Sequence, residues 1–536
     1  MSNINDPFQT FTEPEDIRLE PGMVLGDDYE LVKQVGRGGM GVVWKAKDRS
    51  GERYVALKFV PPDVQRFEAE MKRLKQSFAS IHELQDRHIC PVYALKQHPI
   101  FGYYLVMKWI EGETLDRLLL RHKNGMDLET VVKILEPIAA ALDYAHGRKI
   151  IHRDIKPSNI FVQMDGTEIR DVQLIDFGLA KEIRSSMIRV SQAGADMAGT
   201  QLYMSPEQWR GRRQTAAADQ YALTVVAYEM LAGYPPFESD DKDILRRAVL
   251  EETPEKITGV SAGVRDVLLK GLAKDAVDRY GSCREFATDL KVEASIRLGY
   301  AAYYKWEAKS NDQAILAFTE AIRLKPDCAE AYKGRGDAYD RKGEYDRAIA
   351  DYTDAIRLEP YKGFYYAYRG MTYDRKKEYD PAISDFSEAI RLSETPKMKY
   401  LFYVERSRIY MAKGDYDRAI SDCTEMIQIF PDSSHIYEER GRAYNKKGDY
   451  GKSVADFTEA IRIEPDDVET YRKRGYSYYK QGDYDRAIAD YTEVIRLEPN
   501  DGLTYEKRGW LYQALGKTDL AEADYAMSER LTDEDS

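Results

Sequence analysis

Apolar and polar positions follow two different periods along this chain. After a polar stretch with Pro7, Pro14 and Pro21 and no periodicity, short β-branched runs begin near Tyr29 (YELVKQV) and continue through VVWKAKD and VALKFV. This alternation predicts strands. A charged stretch, RFEAEMKRLKQSF, carries helical spacing. The apolar clusters Ile150-Ile151, Ile160-Phe161-Val162 and Val172, Leu174, Ile175 predict further short buried strands. A long apolar helix follows in ADQYALTVVAYEML, and a last one in SCREFATDLKVEASIRL. The lead segment, residues 1–27, is expected to be flexible.

From about residue 297 only helical stripes remain, and they recur. Prolines close units at Pro326, Pro360, Pro431, Pro465 and Pro499, at spacings of 34, 71, 34 and 34. The 71 is 34 plus 37, so one junction carries three extra residues, within 393–399. Two apolar stripes per 34 residues, with Tyr332, Gly336, Tyr339, Gly343, Tyr345, Ala348 and Pro360 in one unit, resemble tetratricopeptide repeats. Seven units are expected: 297–328, 329–362, 363–399, 400–433, 434–467, 468–501 and 502–533. The resemblance implies an all-α superhelix whose groove takes a peptide or protein ligand. The units have a pattern of their own. Arg335, Arg369, Arg406, Arg440, Arg474 and Arg508 are each followed sixteen residues later by Asp351, Asp385, Asp422, Asp456, Asp490 and Asp524. The first unit has Ala301 and Ala317 at these places. An inward arginine is costly to bury alone, so the pairing predicts a ladder of semi-buried ion pairs.

Composition narrows the class. The 536 residues call for more than one domain, and 43% hydrophobic content suffices for packed cores. A net charge of −13 argues against a general nucleic-acid binder. The four cysteines, Cys90, Cys283, Cys328 and Cys423, form no CxxC pair, and the seven histidines have no metal-ligand spacing, as in a reducing compartment. The N-terminus lacks the apolar core of a signal peptide, and no run of about 18 apolar residues predicts a membrane span. A cytoplasmic location is therefore expected.

The chemistry concentrates in two segments. His152-Arg153-Asp154-Ile155-Lys156-Pro157-Ser158-Asn159 is followed, seventeen residues after Asn159, by Asp176-Phe177-Gly178. Asp154, Asn159 and Asp176 can each handle a proton or a divalent cation, and all sit at the ends of apolar strands. Upstream stands Gly36-Arg37-Gly38-Gly39-Met40-Gly41. A dinucleotide-binding turn would need a helix after the glycines, whereas here a strand follows. Seventeen residues after Gly41 comes Lys58, in VALKFV.

Over roughly residues 29–292 this set resembles the eukaryotic-type (Hanks-type) serine/threonine protein kinases, in bacterial style. The resemblance implies a bilobal α+β kinase fold over 28–292, followed by the repeat superhelix over 297–533; no Pro/Gly/Ser stretch separates them, so fixed or hinged packing is expected. It implies ATP and Mg²⁺ as cofactors. Asp154 would be the catalytic base and Lys156 would face the transferred phosphate, which argues for Ser/Thr acceptors. Asn159 and Asp176 would be metal ligands, and Lys58 would hold the α/β-phosphates, oriented by Glu70. Gly36, Arg37, Gly38, Gly39, Met40, Gly41, Val43 and Ala56 would surround the nucleotide. Met107 would be the gatekeeper, with Lys108, Trp109 and Ile110 as the hinge against adenine. About seven residues more than usual follow Glu70, predicting an extended helix or an extra turn. Glu207 is expected to pair with Arg279, and Asp219 to hold the backbone of the His152–Asp154 loop. Ser185, Ser186 and Ser191 are candidate phosphosites facing Arg153, with Thr200 contacting the catalytic loop. The implied function is phosphoryl transfer from ATP to protein Ser/Thr hydroxyls, with the repeats recruiting substrate or regulator. The competing class is a pseudokinase-type scaffold, disfavoured because Lys58, Asp154, Asn159 and Asp176 are all present.

Overall fold

The structure is a computed structural model that describes residues 18–38, 41–177, 201–305, 307 and 309–534. The chain divides into two compact units, 1–294 and 295–536. The division falls within one continuous helix, Cys283–Tyr303.

The first unit opens with a six-stranded antiparallel sheet, β1 (Val24–Leu25), β2 (Tyr29–Gly38), β3 (Gly41–Asp48), β4 (Arg53–Phe59), β5 (Val92–His98) and β6 (Gly102–Lys108), in the order β1-β2-β3-β4-β6-β5. Leu31, Trp44, Ala46, Val55, Leu57, Tyr104 and Val106 bury one face of it. The helix Glu68–His82 absorbs the extra residues after Glu70, and its end is tied down where His82 Nδ1 meets Val92 O at 2.8 Å. A small sheet of β7 (Glu113–Thr114), β8 (Ile160–Asp165) and β9 (Glu168–Leu174) lies among the helices. The helix Leu128–His146 starts at Asp127, whose carboxylate accepts from Thr130 N. The helix Ala216–Ala232 is buried on nearly every side and ends at Gly233, in the left-handed conformation that glycine adopts without a Cβ clash (φ 84°). Within it, Gln220 Nε2 donates to Thr224 Oγ1 at 2.8 Å.

The second unit is a run of successive helices, from the end of Cys283–Tyr303 and Ser310–Leu324 to Gly502–Ala514 and Thr518–Glu534, consecutive ones packing against each other. The three extra residues of the 71-residue spacing lengthen one first helix, Pro396–Lys413, to 18 residues, started by Thr395. Within units, a glycine on the first helix meets a ring on the second. A Cβ on Gly336, Gly441 or Gly475 would stand 2.8–2.9 Å from Tyr352, Phe457 or Tyr491. In the fourth unit the glycine is replaced by Ser407 and the ring by Cys423, their side-chain heteroatoms 3.5 Å apart. The added hydroxyl is accommodated because the partner shrank.

The arginine–aspartate ladder is present in all six units that carry both residues. Each arginine binds its aspartate through Nε and Nη2, as in Arg474–Asp490 at 3.0 and 2.7 Å, within one unit. Its Nη1 reaches a hydroxyl on the second helix of the preceding unit: Thr319, Thr353, Ser387, Thr424, Thr458 or Thr492. In the last five of these the hydroxyl donates its own proton to the carbonyl four residues back, so a lone pair is left for the guanidinium. The seventh unit has Ala526 at that position. A tyrosine three residues before each arginine stacks on it, Tyr471 lying 5.5 Å from Arg474.

Candidate active site

Two sheets and two helices position the residues singled out from the sequence. Lys58 lies on β4 opposite Val43 and Leu105 and is 5% exposed. The β2–β3 turn pairs Gly36 with Val43 and Gly38 with Gly41, while Gly39 and Met40 lie outside the described residues. Gly41 has φ 111°, and a Cβ there would meet Phe59 O at 2.0 Å, so this close strand passage admits only glycine. Ala56 pairs with Met107 in the β4–β6 ladder, and both side chains are buried. Beyond Met107, Lys108 N donates to Pro91 O at 3.0 Å, Trp109 donates to Glu111 Oε1 at 2.7 Å, and Ile110 is buried.

The loop before β8 is held from below. Asp219, on the buried helix Ala216–Ala232, accepts from His152 N and Arg153 N at 2.7 Å each. Arg153 therefore keeps φ 69°, a left-handed conformation unfavourable for a side-chain-bearing residue, because two backbone donors are tied to one carboxylate. Asp176 has φ 63°. The ring of His152 bonds Ile175 O at 2.8 Å and packs edge-on against Phe177, joining the segments that carry Asp154 and Asp176. Ile175 N also donates to Asn159 O at 2.9 Å.

The polar groups then converge. Asn159 Nδ2 donates to Asp154 O at 2.7 Å and Asp154 Oδ2 at 3.1 Å. Lys156 Nζ is 3.1 Å from the same Asp154 oxygen. Lys58 Nζ bonds Asp176 Oδ2 at 2.7 Å, with both side chains largely buried. The amide hydrogens of Asn159 are thus used, which leaves its Oδ1, together with the second oxygen of Asp176, as hard oxygen donors of the kind Mg²⁺ takes. The donor set fits that ion.

Glu70 departs from the expectation. It is 8% exposed, but its carboxylate meets Arg73 Nη1 at 3.2 Å, while Lys58 binds Asp176. The structure does not bring Lys58 and Glu70 into an ion pair. Gly178, Ser185, Ser186, Ser191 and Thr200 lie outside the described residues.

Glu207 and Arg279 form the expected pair, bidentate at 3.0 and 2.9 Å. Burial pushes Glu207 up, but the bonds and charge of Arg279 outweigh it and hold the carboxyl below its ordinary value. Sequence reasoning missed His146, whose Nε2 lies 2.8 Å from Asp219 Oδ2. Burial disfavours its charge, yet Asp143 and Asp219 raise it to about 9. Its place six residues before His152 was the available signal. Tyr203 was also missed. Its hydroxyl donates to Glu229 Oε2 at 2.6 Å, and burial pushes that carboxyl up.

Comparison with known proteins identifies the families of both parts of the chain. Residues 29–290 match the protein kinase domain family. Tetratricopeptide repeat models match 292–362, 365–396, 401–433 and 468–501, and a TPR repeat model matches 441–482. A probable serine/threonine-protein kinase of Clostridium perfringens, CPE1738, is 34% identical over 277 residues, covering 50% of this chain and 39% of that protein. PknA of Corynebacterium glutamicum is 32% identical over 281 residues, covering 52% and 58%. PknE of Mycobacterium tuberculosis is 34% identical over 263 residues, covering 48% and 45%. The chain thus spans about half the length of the curated relatives it matches. Among solved structures, the kinase domain of M. tuberculosis PknI aligns at 26% identity and a TM-score of 0.42, covering 52% of this chain and 99% of that one. The chain is therefore built of a protein kinase domain, with bacterial serine/threonine kinases as its relatives, followed by tetratricopeptide repeats.

Proposed function

We propose that the chain is a serine/threonine protein kinase that transfers the γ-phosphate of ATP to protein hydroxyls, with the repeats recruiting a substrate or regulator. The observation that carries this reading is the convergence of Asp154, Lys156 and Asn159 on one loop with Asp176 bonded to Lys58 at 2.7 Å. Phosphoryl transfer asks mainly for positioning and charge neutralisation, and these groups supply both. Asp154 accepts the proton of the acceptor hydroxyl, and Asn159 orients it through the 3.1 Å bond to Oδ2. Lys156 places a cation beside the same carboxylate, where negative charge collects during transfer. Lys58 exchanges Asp176 for nucleotide phosphate when ATP enters, and Glu70 is the buried carboxylate on the adjoining helix able to reorient toward it. Asn159 Oδ1 and Asp176 would hold Mg²⁺, which neutralises phosphate charge. Arg153 is the candidate receiver of an activating phosphate on Ser185, Ser186 or Ser191. Among the described residues no helix is long and apolar enough to cross a membrane, and the proposed location is the cytoplasm.

The test is incubation of the full chain with labelled ATP and a generic Ser/Thr protein substrate, with and without Mg²⁺. Asp154→Asn and Asp176→Asn should each reduce incorporation by at least about 10³-fold, in line with the loss of a catalytic base or of transition-state charge stabilisation. Undiminished transfer in either variant would reject the assignment. Absence of transfer by the wild type under all conditions would favour the scaffold.

A further inference from the structure

Among the described residues, a cluster of ligating side chains apart from the catalytic centre joins the helix Leu128–His146 to the start of Cys283–Tyr303. A carboxylate oxygen of Asp143, a ring nitrogen of His146 and the sulfur of Cys283 lie within 4.8 Å of one another. They border a cavity of about 270 Å³ that is also lined by Gln220, Tyr280 and Ser282. The Asp143 carboxylate is already aimed, because its two oxygens accept from Cys283 N and Arg284 N at 3.0 Å each. Each oxygen keeps another lone pair. His146 is oriented by its Nε2 contact with Asp219, which leaves Nδ1 on the Asp143 side, 3.8 Å from Oδ1. Cys283 is buried and in no disulfide. A second observation points the same way. Gln220, 1% exposed, spends its amide hydrogens on Thr224 Oγ1 and Gly271 O, and its Oε1 has no partner among the described residues.

We propose that Asp143, His146 and Cys283 form a binding site for a divalent cation of the zinc class, with Gln220 Oε1 or a water in the fourth position. Carboxylate, imidazole and thiolate together suit Zn²⁺, and are too soft a set for Mg²⁺. Bonds of about 2.0–2.3 Å place tetrahedral ligands roughly 3.3–3.8 Å apart, so the three donors need to close by about one ångström. The Asp219–His146 contact is the carboxylate–histidine arrangement that supports a zinc-bound imidazole. On binding, the Cys283 S–H proton and any proton on His146 Nδ1 leave to solvent, and two metal–ligand bonds replace them. Asp219 also carries the backbone of His152 and Arg153, so the cation would sit one side chain below the loop that holds Asp154.

The experiment titrates Co²⁺ into the chelator-treated full chain, in excess Mg²⁺ so that the all-oxygen site at Asn159 and Asp176 is filled. Binding of one equivalent with a near-ultraviolet thiolate-to-cobalt band, displaced by Zn²⁺, is the expected result. Cys283→Ser should abolish the band and weaken binding by at least about tenfold, the smallest loss typical of a disturbed metal shell. No band in the wild type, or an equal band in Cys283→Ser, overturns the proposal. Should Cys283→Ser fail to fold, X-ray absorption at the zinc edge of the wild type decides. One sulfur at about 2.3 Å supports the site, and a shell of only nitrogen and oxygen refutes it.

Discussion

Removing Asp490 alone from the repeat ladder should harm the fold more than removing it together with Arg474. Its carboxylate takes both Nε and Nη2 of Arg474, at 3.0 and 2.7 Å, and the two side chains are only 6% and 16% exposed. Burial raises Asp490 above its ordinary value of 3.8 although Arg474 pulls it down, so desolvation cancels much of the attraction. The intact pair is therefore worth little, while either partner left alone is costly. Asp490→Ala and Arg474→Leu should each cost about 3 kcal/mol, and the double variant no more than either single, a coupling of about 3 kcal/mol. The two singles differ in pH dependence. An Asp490 left without Arg474 has its value raised further, and protonation relieves it. The Arg474→Leu penalty should thus be full at neutral pH and shrink as pH falls through the raised value toward 3.8. The Asp490→Ala variant should show no such recovery, since a guanidinium keeps its proton. Hydrogen exchange of the full chain in a urea series reads the effect locally, in the amides of helices Val468–Gln481 and Tyr484–Leu497. Single changes that are each nearly neutral and simply additive would refute the reasoning.

Asp219→Asn should lower kcat by about 100-fold with little change in nucleotide affinity, because two backbone donors lose a shared anchor and Asp154 drifts. Steady-state kinetics with both constants near wild type would exclude this anchoring role. Glu207 is held below its ordinary value of 4.5, so its contribution to stability is present above that value and lost as pH falls through the depressed one. Arg279→Met should accordingly move acid unfolding to higher pH, and superimposable acid titrations would contradict it. Gly475→Ala places a Cβ 2.9 Å from Tyr491 and should destabilise by about 1–3 kcal/mol despite better helix propensity. Gly451→Ala, with nothing nearer than 3.5 Å, should instead gain up to ~1 kcal/mol. Thermal unfolding of the two variants compares them directly.

Much of the site could be read from spacing. Asp154, Asn159 and Asp176 fall at the ends of β-branched runs, and the alternation there is strong because β8 and β9 are buried. The pairing of Arg279 with Glu207 and the anchoring by Asp219 also followed the motif, since each replaces solvent around a buried charge in only one way. Glu70 did not follow. Which carboxylate Lys58 engages is decided by how the helix Glu68–His82 and the Asp176 segment approach β4, and no local pattern encodes that. His146 was passed over because a single histidine on an apolar helix carries no periodic signal until the helix Ala216–Ala232 is packed against it.

The sequence by itself determined the order of the two domains, the 34-residue period, the letters of the candidate site and the six arginine–aspartate pairs. All of these are periodic or closely spaced, and local chemistry suffices to read them. Tertiary structure alone decided where each arginine spends its third nitrogen. Whether Nη1 reaches Thr458, one unit back, depends on how neighbouring helix pairs stack, and the Arg474–Asp490 spacing is silent about that. It also decided that Asp143, His146 and Cys283 meet. They lie 140 residues apart at the widest, and only the packing of one helix start against another helix end brings them within 4.8 Å.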